Sequence, residues 1–139
     1  MESAYRALGA DLGIADQVRF RGPLIGAPLA EAMRSSLALV LPSACDEAFG
    51  IVAAEALSCG RLAIVSNRGG LPEVVEGMDT VVPEGDIPAW AAALTRAASD
   101  AAWRTSQERH TATAAARFTP DRFVAGYLRV YEKVLGDIV

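Results

Sequence analysis

The stretch that decides the fold spans residues 37–60 and reads LALVLPSACDEAFGIVAAEALSCG. Its first part, residues 37–43, is a short apolar run that Pro42 ends, which predicts a strand buried on both faces. The alanine-rich segment 48–58 predicts a buried helix, closed by Gly60 as its C-cap. A buried strand followed directly by a buried helix is typical of a parallel α/β sheet.

Strands and helices alternate through most of the chain. Further strands are predicted at 18–22, 62–67 and 80–83, so we expect a sheet of about four strands. The other predicted helices are 2–12, 29–36, a short helix within 68–77, 87–99, 101–117 and an amphipathic helix that starts at Pro120. The predicted fold class is therefore α/β, a Rossmann-like parallel sheet flanked by helices.

Composition and charge narrow the classes of function. The 139 residues carry a net charge of −4 without a basic cluster, which argues against nucleic-acid binding. The two cysteines and one histidine do not form a zinc-ligand pattern. The start shows no signal-peptide pattern, and the longest apolar run is too short to cross a bilayer. We expect a cytoplasmic protein, with attachment to the inner face of the membrane as the alternative.

Two glutamates interrupt the small and apolar residues of the deciding stretch. Glu47 precedes the predicted helix and Glu55 follows eight residues later. A helix N-terminus offers unpaired N–H groups to an anion, and Gly50 would allow a ligand to approach the backbone closely. Carboxylates beside such a site suit hydroxyl groups, so the pattern indicates a diphosphate with a sugar on each side, as in a nucleotide sugar.

Both glutamates also have a structural interpretation. Glu47 could complement the positive end of the helix dipole. Glu55 is expected to be buried among alanines. A buried carboxylate requires a partner, and an arginine side chain would serve as well as a ligand. The residues alone leave these alternatives open.

Residues 39–60 resemble the signature of the retaining glycosyltransferases of family 4, which have the GT-B fold. The similarity lies in the order P-S, then Glu47 with Phe49-Gly50, then Glu55 followed by alanine and a glycine. Flanking segments resemble the family in the same order: VRFRG at 18–22, SNRGGLPEVVEG at 66–77, VVPEGD at 81–86 and a closing helix with Tyr127 and Tyr131. Ala48 departs from the pattern, which usually has glycine there.

The resemblance implies a role for each glutamate. Glu55 would bind the ribose hydroxyls of the donor, and Glu47 would be the catalytic residue near the transferred sugar. Other donor-binding residues implied are Phe49, Gly50 and Ile51 through their backbone amides, Arg21 and Gly22 beside the base, Ser43 beneath the site, and Gly70 with Gly69 on its far side. No metal or other cofactor is implied, because the helix dipole and basic side chains would stabilise the leaving diphosphate.

The function implied is retaining transfer of a hexose from a UDP-, GDP- or ADP-sugar to an unknown acceptor. Residues 1–139 would form part of the C-terminal donor-binding domain, with the N-terminal acceptor domain and two strands of this domain missing. The exposed sheet edge would then favour self-association. The competing interpretation is an inactive fragment or interaction module. A sugar-nucleotide epimerase of the same fold would need more histidines than His110 alone.

Overall fold

The computed structural model describes residues 2–136, in which a parallel sheet lies among helices. The strands are β1 (Ala38–Leu41), β2 (Leu62–Ser66) and β3 (Val81–Val82). The helices are α1 (Glu2–Asp11), α2 (Ala27–Arg34), α3 (Ile51–Ser58), α4 (Leu71–Val74), α5 (Ile87–Ser99), α6 (Ala101–Ala115) and α7 (Pro120–Gly136). The predicted α/β class is confirmed.

The sheet has the strand order β1-β2-β3, and both neighbouring pairs are parallel. Leu39 is paired with Ala63, and Val65 with Val81. All residues of the central strand β2 are buried, as expected for a parallel strand covered on both faces by helices. The carboxyl ends of the strands therefore meet at one edge, where ligands bind in open α/β sheets.

Small residues bring α3 close to the sheet. Ala53, Ala56 and Leu57 are at most 1% exposed and belong to the same core cluster as β2. The helix ends at Ser58 as predicted, but Cys59 rather than Gly60 occupies the C-cap position. Gly60 follows with a φ of 72° and donates its N–H to the Leu57 carbonyl at 2.9 Å. This close packing fixes the position of the α3 N-terminus relative to the strand ends.

The strand predicted at 18–22 does not form. A 3₁₀ turn at Ala15–Gln17 leads into residues 18–25, which have no regular secondary structure. A strand needs a neighbour to accept and donate its ladder hydrogen bonds, and no strand pairs with this segment within residues 2–136. The sheet of the described chain consequently has three strands rather than about four.

The prediction that residues 37–43 are buried on both faces is also wrong. Because β1 lies at the edge of the sheet, its residues are only partly buried and Val40 is exposed. The predicted strand at 80–83 shortens to the two residues of β3, the other edge strand.

The helix predicted over 48–58 begins three residues later, at Ile51. Gly50 precedes it with a φ of 90°, a left-handed conformation that cannot continue an α-helix. Residues 47–50 therefore form a loop, which we call the donor loop after the role that the family resemblance implies for it, and Glu47 does not lie directly before the helix.

Candidate functional site

Two loops at the carboxyl edge of the sheet pack directly on each other. Gly70, after β2, donates its N–H to the carbonyl oxygen of Glu47, after β1, at 2.7 Å. A Cβ atom on Gly69 would lie 2.1 Å from that same oxygen, and the φ of Gly69 is 53°. Only glycine fits this contact, so the predicted far-side pair Gly69-Gly70 holds the donor loop through its backbone.

Serine hydroxyls connect the strand ends to the Glu47 carboxylate. The Ser66 hydroxyl donates to the Ser43 carbonyl oxygen at 2.8 Å, and the Ser43 hydroxyl donates to Glu47 Oε1 at 2.7 Å. Glu47 is half-buried, and this bond turns its side chain back toward the end of β1. The carboxylate is thus held by a neutral donor and keeps further acceptor capacity for a ligand hydroxyl.

Gly50 is required by packing as well as by its backbone angle. A Cβ atom there would come within 2.3 Å of the Leu71 side chain, which is fully buried. The expected reason, close approach of a ligand, is not needed to explain the glycine.

The N-terminus of α3 is open. Asp86 and Asp100 cap α5 and α6 by accepting N–H bonds at 2.9 and 2.8 Å. Within the described part of the chain, no side chain caps α3 in this way. The N–H groups of Ile51 and Val52 make no hydrogen bond within residues 2–136 and are therefore free to bind an anion, whereas the Ala53 N–H donates to the Gly50 carbonyl at 2.9 Å.

A groove of about 370 Å³ runs beside α3, within the usual size range of small-molecule sites. One wall is a single face of α3, formed by Ile51, Ala54, Glu55 and Ser58 at helical spacing. The residues of the opposite wall and of the remaining lining are Gly26, Leu29, Ala30, Met33, Phe49, Cys59 and Phe118. The lining is mostly apolar, with Glu55 as its charged group.

Glu55 is exposed, contrary to the burial expected from its alanine neighbours. Ala53 and Ala56 face the core, whereas Glu55 lies on the groove side of α3, beside Ala54. Its carboxylate makes no hydrogen bond or ion pair with any other side chain or backbone group of residues 2–136. The structural alternative, pairing with an arginine, therefore does not account for this residue.

Phe49 packs its ring against Phe118 in an edge-to-face arrangement, with ring centroids 4.9 Å apart. Both rings line the groove, and Phe49 remains 37% exposed. The structure thus brings five predicted residues together at one edge of the sheet: Ser43, Glu47, Phe49, Gly50 and Gly70. Two further predicted residues, Ile51 and Glu55, lie on the adjoining face of α3.

Arg21 and Gly22 are not part of this cluster. Both are exposed in the irregular segment 18–25, and the lining of the groove begins only at Gly26. Their predicted position beside a base stays a prediction.

Two residues of the site, Ser66 and Phe118, were not predicted from the sequence. Ser66 is fully buried and supports Ser43, and Phe118 supports Phe49. Arg68 donates from Nη2 to the Ala44 carbonyl at 3.1 Å and so braces the loop after β1. A hydroxyl directly at the end of β2 was the one available signal for Ser66, whereas nothing local marks Phe118.

Neither a metal-ligand cluster nor a helix suited to span a membrane is found within residues 2–136. Residues 2–136 contain no group of three or more His, Cys, Asp or Glu side chains placed to hold a metal ion. Over the same residues, the helices fall short of the length and apolar character that crossing a membrane requires.

The model of the family described as glycosyl transferases group 1 matches residues 1–100. Among curated proteins, the chain is similar to the D-inositol 3-phosphate glycosyltransferases of Salinispora arenicola, with 36% identity over 89% of the chain, and Frankia alni, with 37% identity over 92%. It spans only 28% and 32% of the length of these two relatives.

Among solved structures, the chain resembles the sucrose-phosphate synthase of Thermosynechococcus elongatus. The TM-score is 0.83 at 29% identity, and the match covers 96% of this chain and 34% of that one.

Proposed function

Because the chain belongs to the glycosyl transferases group 1 family, whose sheet and helices it shares, we propose that it binds the nucleotide-sugar donor of a hexosyltransferase. The observation that carries this proposal is the placement of Glu55. It is an exposed and unpaired carboxylate on the wall of an apolar groove of about 370 Å³. A nucleoside offers such a groove both an aromatic base, whose ring faces pack on apolar side chains, and ribose hydroxyls that donate to a carboxylate.

The rest of the donor would follow α3 toward its N-terminus. The open N–H groups at Ile51 suit the diphosphate, since a helix N-terminus binds anions without a positive side chain. Glu47 and the backbone of Phe49 and Gly50 would then face the hexose. In this arrangement Glu47 accepts from a sugar hydroxyl or stabilises positive charge that develops at the reacting carbon, in a transfer that retains the anomeric configuration.

The chain's contribution is limited to the donor. It spans about a third of the sucrose-phosphate synthase and less than that of the first curated relatives. A metal is not part of the proposal, because the helix N-terminus would supply the positive potential near the diphosphate.

The proposal is tested by replacing Glu55. We expect Glu55→Ala to weaken binding of whichever nucleotide the chain binds by about 10- to 100-fold, because hydrogen bonds to a charged group usually contribute a factor of this size. Isothermal titration calorimetry of the 139-residue chain with UDP, GDP and ADP, and with their hexose forms, measures this. Because Glu55 is exposed and alanine favours helices, the free energy of unfolding should hardly change.

The matched control is Glu31→Ala, an exposed glutamate on α2 that does not line the groove. It removes the same charge from the chain and should leave the dissociation constant unchanged. Equal affinity of the original chain and Glu55→Ala would refute the site, and a chain that binds none of these nucleotides would refute the function.

The second candidate is a chain that binds donors but transfers nothing by itself, and the short span relative to the relatives favours it. We expect no release of labelled hexose when the purified chain is incubated with the nucleotide hexose that it binds. Sustained transfer or hydrolysis, absent in Glu47→Gln, would contradict this expectation and assign the whole reaction to these residues.

A further inference from the structure

The segment between α6 and α7 is attached to the rest of the molecule by Arg117. This half-buried guanidinium donates from Nη2 to the carbonyl oxygens of Glu73, at 2.7 Å, and Val74, at 3.1 Å. Its Nη1 forms an ion pair with Glu76. These bonds satisfy carbonyls at the end of α4 and anchor the 3₁₀ turn Ala116–Phe118 in one place.

The anchored turn presents Phe118 to the donor loop. The Phe118 ring meets the ring of Phe49 edge-on, at 4.9 Å and an interplanar angle of 80°. Phe49 lies between Glu47 and Gly50, and its ring is the one large side chain of the donor loop. The aromatic pair therefore joins a residue late in the chain to the loop that carries the proposed donor contacts.

We propose that Phe118 is a positioning residue: it holds the donor loop against Gly69-Gly70 and so sets the geometry of the nucleotide-sugar site. The proposal rests on the proposed function for the identity of the ligand, but the positioning itself concerns the free protein. Backbone contacts fix the two ends of the loop, at Glu47 and Gly50, while the side chain of Phe49 gains its fixed direction from Phe118.

Hydrogen exchange measures this positioning without any ligand. The Gly70 amide, bonded to the Glu47 carbonyl, reports whether the donor loop is in place. An aromatic pair contributes enough to change such an opening equilibrium by about 2- to 12-fold. We expect Phe118→Ala to accelerate exchange of the Gly70 amide by that factor relative to the Val65 amide, which donates to the Thr80 carbonyl in the sheet at 3.0 Å.

Two further variants separate positioning from general loss of stability. Phe118→Tyr keeps the ring and should restore the slow exchange at Gly70. Trp103→Leu removes a buried aromatic side chain between α5 and α6, away from the groove, and should accelerate Gly70 and Val65 together. An unchanged ratio of Gly70 to Val65 exchange in Phe118→Ala would overturn the proposal.

Nucleotide binding extends the test to the proposed function. Where the original chain binds UDP, GDP or ADP, Phe118→Ala should raise the dissociation constant by about 2- to 12-fold and Phe118→Tyr should restore it. An unaltered dissociation constant in Phe118→Ala would remove the link between the loop and the ligand. A chain that binds no nucleotide refutes the proposed function, and the exchange result then decides the positioning alone.

Discussion

Glycines at the loop contacts are under a stricter constraint than glycines at helix ends. Gly69 and Gly60 both have positive φ values, 53° and 72°, so a side chain at either position costs conformational energy. At Gly60 an added Cβ atom would meet open space, whereas at Gly69 it would overlap the backbone of Glu47. The two positions therefore separate the cost of the backbone angle from the cost of the contact.

We expect Gly60→Ala to lower the free energy of unfolding by about 1–2 kcal/mol, the cost of a left-handed alanine. Gly69→Ala should lose about 1–3 kcal/mol more, because the donor loop has to move away from the added methyl group. Urea unfolding followed by far-UV circular dichroism measures both values. Equal losses would show that the loops after β1 and β2 are not in contact in solution.

Glu47 and Glu55 illustrate which site residues a sequence can reveal. Both were predicted from carboxylates in an apolar stretch, and their types and order point to a polar ligand. Their surroundings were not predictable in the same way. The burial of a helix residue depends on which face meets the sheet. Three alanines and Leu57 around Glu55 predicted a core residue, although Glu55 faces the groove.

The start of α3 shows how one residue changes an element. Composition predicted a helix from residue 48, because Ala48 before Gly50 and Ile51 after it are both compatible with a helix. The helix begins at Ile51 because Gly50 has a φ of 90°, a left-handed conformation that an α-helix cannot contain. Glu47 therefore lies four residues before the helix rather than directly before it, and the Ser43 hydroxyl holds its carboxylate.

Strand formation depends on neighbours, which a single segment does not contain. Residues 18–22 and 62–66 both favour extended structure, but only the latter has strands on both sides. The helices, whose hydrogen bonds are internal, were predicted with bounds close to those observed. Phe118 could not be predicted as a site residue, because its contact with Phe49 arises only when the turn after α6 is bound to α4.

The described molecule exposes more surface than a compact protein of its mass. Its accessible area is 9483 Å², whereas a folded monomer of 14.6 kDa has about 6,900 Å². Much of the excess comes from α7, in which no residue from Pro120 to Gly136 is buried. The exposed apolar side chains of α7 are Phe123, Val124, Tyr127, Leu128, Val130, Tyr131, Val134 and Leu135.

The accessible area above that of a compact monomer is larger than the roughly 800 Å² that each partner contributes to a stable interface. Two surfaces of the chain could become buried against a second copy. They are the open edge of β1, where Val40 is exposed, and the apolar stripe of α7. The stripe offers more apolar area, and apolar area drives association. We therefore expect the isolated chain to self-associate at micromolar concentrations, with α7 as the main contact and the β1 edge as the lesser one.

Sedimentation velocity over a concentration series measures the association. Leu128→Glu should shift the chain toward monomer by at least about tenfold in dissociation constant, because a carboxylate in an apolar interface must be desolvated. Val40→Lys, which blunts the strand edge, should have the smaller effect. A monomeric chain at high concentration would contradict self-association, and a larger effect of Val40→Lys would assign the contact to the sheet edge instead.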